Sequence, residues 1–239
     1  MENCKYKCIV ITNQSRYLSA GAIVFHNRNI NFTTLPLNRH SNQLYVFLNA
    51  ESPIYTLKMP DEMNDNYFNI SMTYRKDSDI PISYGVMSRI SNTTPPDKIW
   101  SWDQVIKVVN NKTKSVLQLV SHCSSNSARH LYTDTLKNFI NVTVFGHCNQ
   151  NPCDEECEEM ALKEHRFYLA FENSVCRDYV TEKAFHSMNN LLIPIVLKGS
   201  LCKNILPEGS FIAIDHFNSP KELAQYLKYL ESNKTAYMR

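Results

Sequence analysis

Residues 167–199 read FYLAFENSVCRDYVTEKAFHSMNNLLIPIVLKG, and their pattern decides the fold class. Phe167-Tyr168-Leu169-Ala170-Phe171 is an unbroken apolar run, which reads as a buried strand. A dense polar cluster follows, and then Glu182 to Asn190 has a helical pattern, with Thr181 or Asp178 standing where an N-cap belongs. Leu191 to Leu197 returns to an apolar strand and carries Pro194. A strand, a helix and a second strand in immediate succession form a β-α-β unit, the connection that parallel strands require.

The same alternation extends in both directions. Downstream, Phe211 to Ile214 reads as a strand and Pro220 to Asn233 as an amphipathic helix. Upstream, Ser115 to Val120 is a strand, Ser127 to Asn138 a helix, Val142 to Phe145 a strand and Glu155 to Lys163 an acidic helix. The first hundred residues hold short apolar strands at Ala22 to Phe25 and Leu44 to Leu48, and an alternating one from Phe68 to Tyr74, among short helices and loops. Asn92-Thr93-Thr94-Pro95-Pro96 is a breaker cluster, and Asp97 to Asn111 reads as a helix. A domain boundary is expected near Thr113, giving residues 1–113 and 114–239. The class is α/β, with a parallel sheet in each half.

Length and composition allow this. The chain has 239 residues, 43% hydrophobic and 20% charged, enough for one large domain or two small ones. A net charge of +2 gives no bulk attraction to nucleic acid. The 5 glycines are too dispersed for a G-x-G-x-x-G or Walker-type loop. A bound nucleotide would therefore be held by side chains and helix ends. The 8 cysteines are even in number, and N-x-S/T sequons occur at Asn13, Asn31, Asn69, Asn92, Asn111, Asn141 and Asn233. Both features favour the secretory lumen. Met1 to Cys4 carries no signal-peptide pattern, and no apolar run reaches the ~18 residues of a membrane span. The chain is accordingly expected to be cytosolic or to be incomplete.

The polar cluster carries the chemistry. It lies between a strand end and a helix start, where open parallel sheets bind ligands. A helix N-terminus offers free N–H groups and partial positive charge to an anion. Lys183 adds a full charge, Tyr179 a ring and hydroxyl, and Glu182 a carboxylate for sugar hydroxyls. Residue types alone make this a nucleotide-sugar site or simply a capped helix with a charged first turn.

Phe167 to Gly199 resembles the donor-site signature of the α1,3-fucosyltransferases, glycosyltransferase family 10: F-E-N-S, then D-Y-V/I-T-E-K, then V-P-V-V-x-G. Ala22 to Arg28 resembles the family's A-V-V-F-H-x-R, Asn49 to Pro53 its N-x-E-S-P, and Phe68 to Gly85 its F-N-x-T-x-x-Y-R-x-D-S-D-I-x-x-x-Y-G. The blocks are collinear and extend from about Cys8 to the end. The resemblance implies a GT-B fold, two Rossmann-like domains facing across a cleft, with the acceptor on the N-terminal half and GDP-fucose on the C-terminal half. It implies inverting transfer of L-fucose to a GlcNAc hydroxyl of a glycan.

By the same resemblance, Glu51 is the catalytic base, and Arg129, Asn173, Tyr179, Glu182 and Lys183 bind the donor. His26 and Arg75 are expected at the acceptor or in the cleft, and Glu172 is read as structural. No D-x-D pair that must hold a metal is identified, and Cys148, Cys153 and Cys157 have spacing that favours disulfides over zinc. No obligatory cofactor is expected, with a divalent metal at most accessory. The expected setting is the Golgi lumen, as a type II membrane protein whose anchor lies outside this chain, both ends being truncated. The alternatives are an inactive remnant that binds GDP-fucose or glycans, and a secreted cysteine-rich binding module.

Overall fold

The structure is a computed structural model that describes residues 5–61, 63 and 66–239. Cys4, counted above toward the disulfides, lies outside them, as does the rest of the Met1 to Cys4 start. The chain forms two compact units, Met1–Ile82 and Ser83–Arg239.

The first unit is built on four parallel strands, β1 (Ala22–His26), β2 (Leu44–Asn49), β3 (Ile70–Thr73) and β4 (Ile80–Pro81), ordered as in sequence. Its connections contain short 3-10 turns, and among its described residues there is no α-helix. One face of the sheet is filled by aromatic rings. Phe25 lies 5.0 Å from Tyr45 and 5.5 Å from Phe68, and Tyr45 lies 5.1 Å from Tyr67. Arg39 stacks 4.2 Å over the Tyr45 ring and donates from Nη1 to the Tyr67 carbonyl at 2.8 Å. Asn69, bonded to Arg39, also accepts from the Tyr45 N–H at 2.9 Å.

The second unit contains the helices α1 (Trp102–Asn111), α2 (Arg129–Leu136), α3 (Glu155–Glu164), α4 (Glu182–Asn189), α5 (Gly199–Cys202), α6 (Pro220–Ser232) and α7 (Lys234–Tyr237). Its strands are β5 (Lys114–Leu119), β6 (Val142–Phe145), β7 (His165–Leu169), β8 (Ile193–Val196) and β9 (Ile212–Ala213). They form one parallel sheet in the order β6-β5-β7-β8-β9. Alternation along Phe167 to Phe171 separates two cores. Phe167, Leu169 and Phe171 join Leu136, Leu223 and Leu227 on the α2 and α6 side. Tyr168 and Ala170 join Leu162, Ala184 and Phe185 on the α3 and α4 side. This is the doubly wound arrangement the sequence pattern implies.

Leu227 is fully buried in the first of these cores. Leu227→Ala is expected to lower unfolding stability by about 2–5 kcal/mol, measurable by urea denaturation.

Pro194 is tolerated in β8 for a local reason. Ala170 N–H donates to the Ile195 carbonyl at 2.8 Å, so the polar groups of Ile195 face β7. The Pro194 nitrogen therefore faces the other side, where β9 pairs only with Ile195 and Val196.

Three expectations differ from the structure. The helix expected from Asp97 begins at Trp102, because Ser101 and Gln104 form a reciprocal capping box there. The strand expected from Phe167 begins at His165, whose ring Nδ1–H donates to Ala161 O and whose Nε2 pairs with Thr143 Oγ1. By compactness the chain divides after Ile82 and not near Thr113. The reason is that α1 packs on α3, and the fully buried Lys112 donates to Leu162 O at 2.9 Å and Asn190 O at 3.1 Å. Residues 83–113 are thereby tied to the second sheet.

Candidate functional site

The strand order reverses direction beside β5. The chain moves from β5 outward to β6, then crosses to β7 on the opposite side. That makes the carboxyl ends of β5 and β7 a topological switch point, the place where open parallel sheets bind ligands. The loops that leave these two strand ends are joined. Ser127 N–H donates to Asn173 O at 3.0 Å, and Ser127 Oγ donates to Glu172 O at 2.6 Å. Arg129, at the start of α2, is buried, and its guanidinium donates to Phe171 O at 2.7 Å and His122 O at 3.1 Å. A disulfide from Cys123 to Cys148 fastens the β5 loop to the segment after β6, and a second joins Cys153 to Cys157.

Glu172 organises the next layer. Its buried carboxylate accepts from the Thr181 N–H at 2.8 Å and from Thr181 Oγ1 at 2.9 and 2.8 Å. Lys183 Nζ lies 3.3 Å from Glu172 Oε2 and 2.9 Å from Glu182 Oε1, and it donates to Thr181 Oγ1 at 2.9 Å. Burial holds the Glu172 carboxyl above its ordinary value, against the opposing pull of the Lys183 charge and the Thr181 bonds. Burial also pushes the Glu182 carboxyl up, but there the Lys183 charge and hydrogen bond win and hold it below its ordinary value. Thr181 does occupy the N-cap position of α4, yet its hydroxyl serves Glu172 instead of the helix's own N–H groups.

Tyr179 is buried and meets Tyr84 edge-on at 6.2 Å. Gly85 beside it lets the chain pass over α4, since a Cβ there would collide with the Phe185 ring. Asn173 Oδ1 is buried and accepts no hydrogen bond from the described residues. A pocket at the ends of β7 and β8 is lined by Ala170, Glu172, Ser174, Tyr179, Lys198 and Cys202 among others. Burial pushes the Cys202 thiol up to about 12, helped by Glu172 and Asp215, so it stays a neutral thiol.

The remaining expected residues lie in the first unit, at the carboxyl ends of three adjacent strands. His26 ends β1, Glu51 follows β2 and Arg75 follows β3. Glu51 N–H donates to Asn49 Oδ1 at 3.0 Å, and Asn49 Nδ2 donates to Thr56 Oγ1 at 2.7 Å. Thr56 Oγ1 closes the loop onto Ser52 O at 3.0 Å. Arg28 Nη2 sits 2.9 Å from Glu51 Oε1 and orients the carboxylate. Arg75 grips Asp77 through two bonds of 2.7 and 2.6 Å. Asp77-Ser78-Asp79 does spell D-x-D, but Asp79 accepts from the Ser71 N–H and hydroxyl at 2.8 and 2.7 Å. Both carboxylates thus have protein partners, and the described residues contain no group of three His, Cys, Asp or Glu side chains arranged for a metal.

The structure thus brings Glu182, Lys183, Tyr179 and Asn173 to one loop and helix start. It uses Arg129 to brace that loop from beneath. The sequence reading takes Glu172 as structural without showing its partners, and it leaves Lys198, which lines the pocket, unremarked. The F-E-N-S spelling contains Glu172, but nothing local reveals that its partners lie nine residues on.

Comparison with known proteins gives a consistent picture. A family profile described as glycosyltransferase family 10 (fucosyltransferase), C-terminal part, matches residues 109–239, and a fucosyltransferase N-terminal profile matches residues 1–85. An alpha-(1,3)-fucosyltransferase of Caenorhabditis elegans is 34% identical over 99% of this chain and 52% of its own length. Alpha-(1,3)-fucosyltransferase C of Drosophila melanogaster is 35% identical over 98% of this chain and 59% of its own. The chain thus spans little more than half the length of these curated relatives. A crystal structure titled alpha1,3-fucosyltransferase with GDP-fucose superposes with a TM-score of 0.60 and 19% identity. It covers 84% of this chain and 66% of that one, which establishes a shared fold.

Proposed function

The chain belongs to glycosyltransferase family 10, the fucosyltransferases, and on that premise we propose that it transfers L-fucose from GDP-fucose to a GlcNAc hydroxyl of a glycan, forming an α1,3 linkage. The observation that carries the reading is the Glu172–Thr181–Lys183 cluster at the N-terminus of α4, beside the switch point. In this reading the unit Ser83–Arg239 holds the donor and the unit Met1–Ile82 the acceptor.

The acceptor hydroxyl attacks the anomeric carbon from the face opposite GDP, so configuration inverts. Glu51 takes the hydroxyl proton as the new C–O bond forms. The bond to the diphosphate breaks, and its electron pair goes to GDP. The N–H groups at the start of α4 and nearby cations stabilise the charge that develops there. Asn173 Oδ1, buried without a partner in the described chain, is available to a donor hydroxyl or N–H. Glu182 and Tyr179 contact the donor, and Arg129 fixes the loop that presents Asn173. His26 and Arg75 flank the acceptor. No obligatory metal is assigned, and a divalent ion is at most accessory. The family relatives, disulfides and sequons support protein glycosylation in the Golgi lumen as the setting, in a type II membrane protein; no helix of the described residues is long and apolar enough to cross a membrane.

Thermal unfolding with and without GDP tests the donor site. At about 100 times the dissociation constant, GDP should add about 2.7 kcal/mol of stability and raise the midpoint. An unchanged midpoint at millimolar GDP would overturn the donor-site reading.

A further inference from the structure

We infer that Asn233, at the junction of α6 and α7, carries an N-linked glycan, and that Tyr229 and Tyr226 on the outer face of α6 are the platform on which its first sugars lie. The inference goes beyond the fucose-transfer reading and shares with it only the lumenal setting. Asn233-Lys234-Thr235 is a sequon. α6 buries Leu223, Ala224, Leu227 and Leu230 in the core. Helical spacing turns Tyr226, Tyr229 and Asn233, three and four residues apart, to a shared face. Tyr226 and Tyr229 keep 40% and 51% of their surface exposed. Their rings stack with centroids 6.3 Å apart, and Phe217 extends the row at 5.5 Å from Tyr226. Adjoining exposed rings of this size mark a surface that something covers.

The asparagine points to the occupant. Its Oδ1 accepts from the Ala236 N–H at 3.1 Å and so caps α7. That bond fixes the carboxamide and turns Nδ2 toward Tyr229, whose hydroxyl lies 3.3 Å away. Lys234 and Thr235 are exposed. In the transfer, Nδ2 attacks the anomeric carbon of a lipid-linked oligosaccharide in the secretory lumen. A C–N bond forms, and the C–O bond to the lipid pyrophosphate breaks. Its electron pair leaves with the pyrophosphate, and one amide proton passes to a base of the transferring enzyme. Oδ1 is not consumed, so the cap on α7 survives. A sugar joined to Nδ2 begins beside the Tyr229 ring. One face of an N-acetylglucosamine ring is a layer of C–H bonds, which packs on the electron-rich face of an aromatic ring. Tyr229 and then Tyr226 offer two such surfaces in succession along α6.

The test uses the whole chain, sent into the secretory pathway of human cells by a cleavable signal peptide. Mass spectrometry after enzymatic release of N-glycans should find Asn233 converted to Asp in most molecules. Melting midpoints then read the stacking through a double-substitution cycle. Thr235→Ala removes the sequon and leaves Asn233 and both tyrosines in place. Tyr229→Leu should lower the midpoint by about 2–4 °C more in the glycosylated chain than in the Thr235→Ala background. Tyr226→Leu serves in the same cycle if Tyr229→Leu does not fold. An equal effect in both backgrounds overturns the platform. Dimers that Tyr229→Leu breaks, seen by sedimentation, would make a second copy the occupant of the row and overturn it too. A chain modified at other sequons and not at Asn233 overturns the site and leaves the lumenal setting standing. A chain modified at none removes the support that the sequons give to that setting, and this inference with it.

Discussion

Glu51→Gln is expected to lower turnover by about 10²–10⁴-fold, the contribution of a positioned base, while GDP binding stays within about twofold. The amide keeps the shape and can still accept a hydrogen bond from Arg28, which now lies 2.9 Å from the carboxylate. It cannot take a proton from an acceptor hydroxyl at neutral pH. The loop that carries the residue should survive, because its bonds run through other groups. Asn49 receives the Glu51 N–H and holds Thr56, and Thr56 holds Ser52. Turnover is read as GDP release, and binding as the GDP-induced shift in melting midpoint. A turnover within about threefold of the unsubstituted chain would remove Glu51 from the role of base. Loss of GDP binding together with turnover would mean that the residue supports structure instead.

Glu172→Ala should cost about 3 kcal/mol of stability and abolish GDP binding. The substitution leaves the Thr181 N–H buried without its acceptor, and it strips Lys183 of its more buried carboxylate. Removing one partner from such a network costs more than the net worth of its bonds, because the other groups remain desolvated. Glu172→Gln keeps an acceptor for Thr181 and should recover part of the loss. The effect on GDP follows from position: Thr181 is the N-cap of α4, so releasing it frees the first turn, whose N–H groups are proposed to meet the diphosphate. Urea denaturation and GDP titration together check both parts. A Glu172→Ala variant within about 0.5 kcal/mol of the unsubstituted chain would show that the carboxylate is not a hub.

Much of the second unit is legible in the sequence because its signals are local. Apolar runs of four or five residues separated by helical segments admit few arrangements other than a parallel sheet. The strands expected at Ser115 to Val120 and Val142 to Phe145 and the helix expected at Pro220 to Asn233 correspond to β5, β6 and α6. What was not legible depends on distant partners. Glu172 and Thr181 are joined across nine residues, and a capping role is the simpler local reading of a threonine before a helix. Lys112 looks like a polar residue at a helix end, the sort of place where domains divide. Only the fold shows its ammonium buried between the ends of α3 and α4. Spacing could not choose among disulfide pairings for the eight cysteines, and proximity of the β5 and β6 loops joins Cys123 to Cys148. Arg129 is expected at the donor from its place in a motif, and what no motif shows is that its guanidinium also donates to two backbone carbonyls.

The most direct test of the account is the reaction itself: the chain incubated with GDP-fucose and a GlcNAc-containing glycan, with product linkage and anomeric configuration read by NMR. The account predicts GDP release matched by product, with fucose joined in α configuration to O3 of GlcNAc. GDP binding without any fucosylated product, or a product of retained configuration, would contradict it.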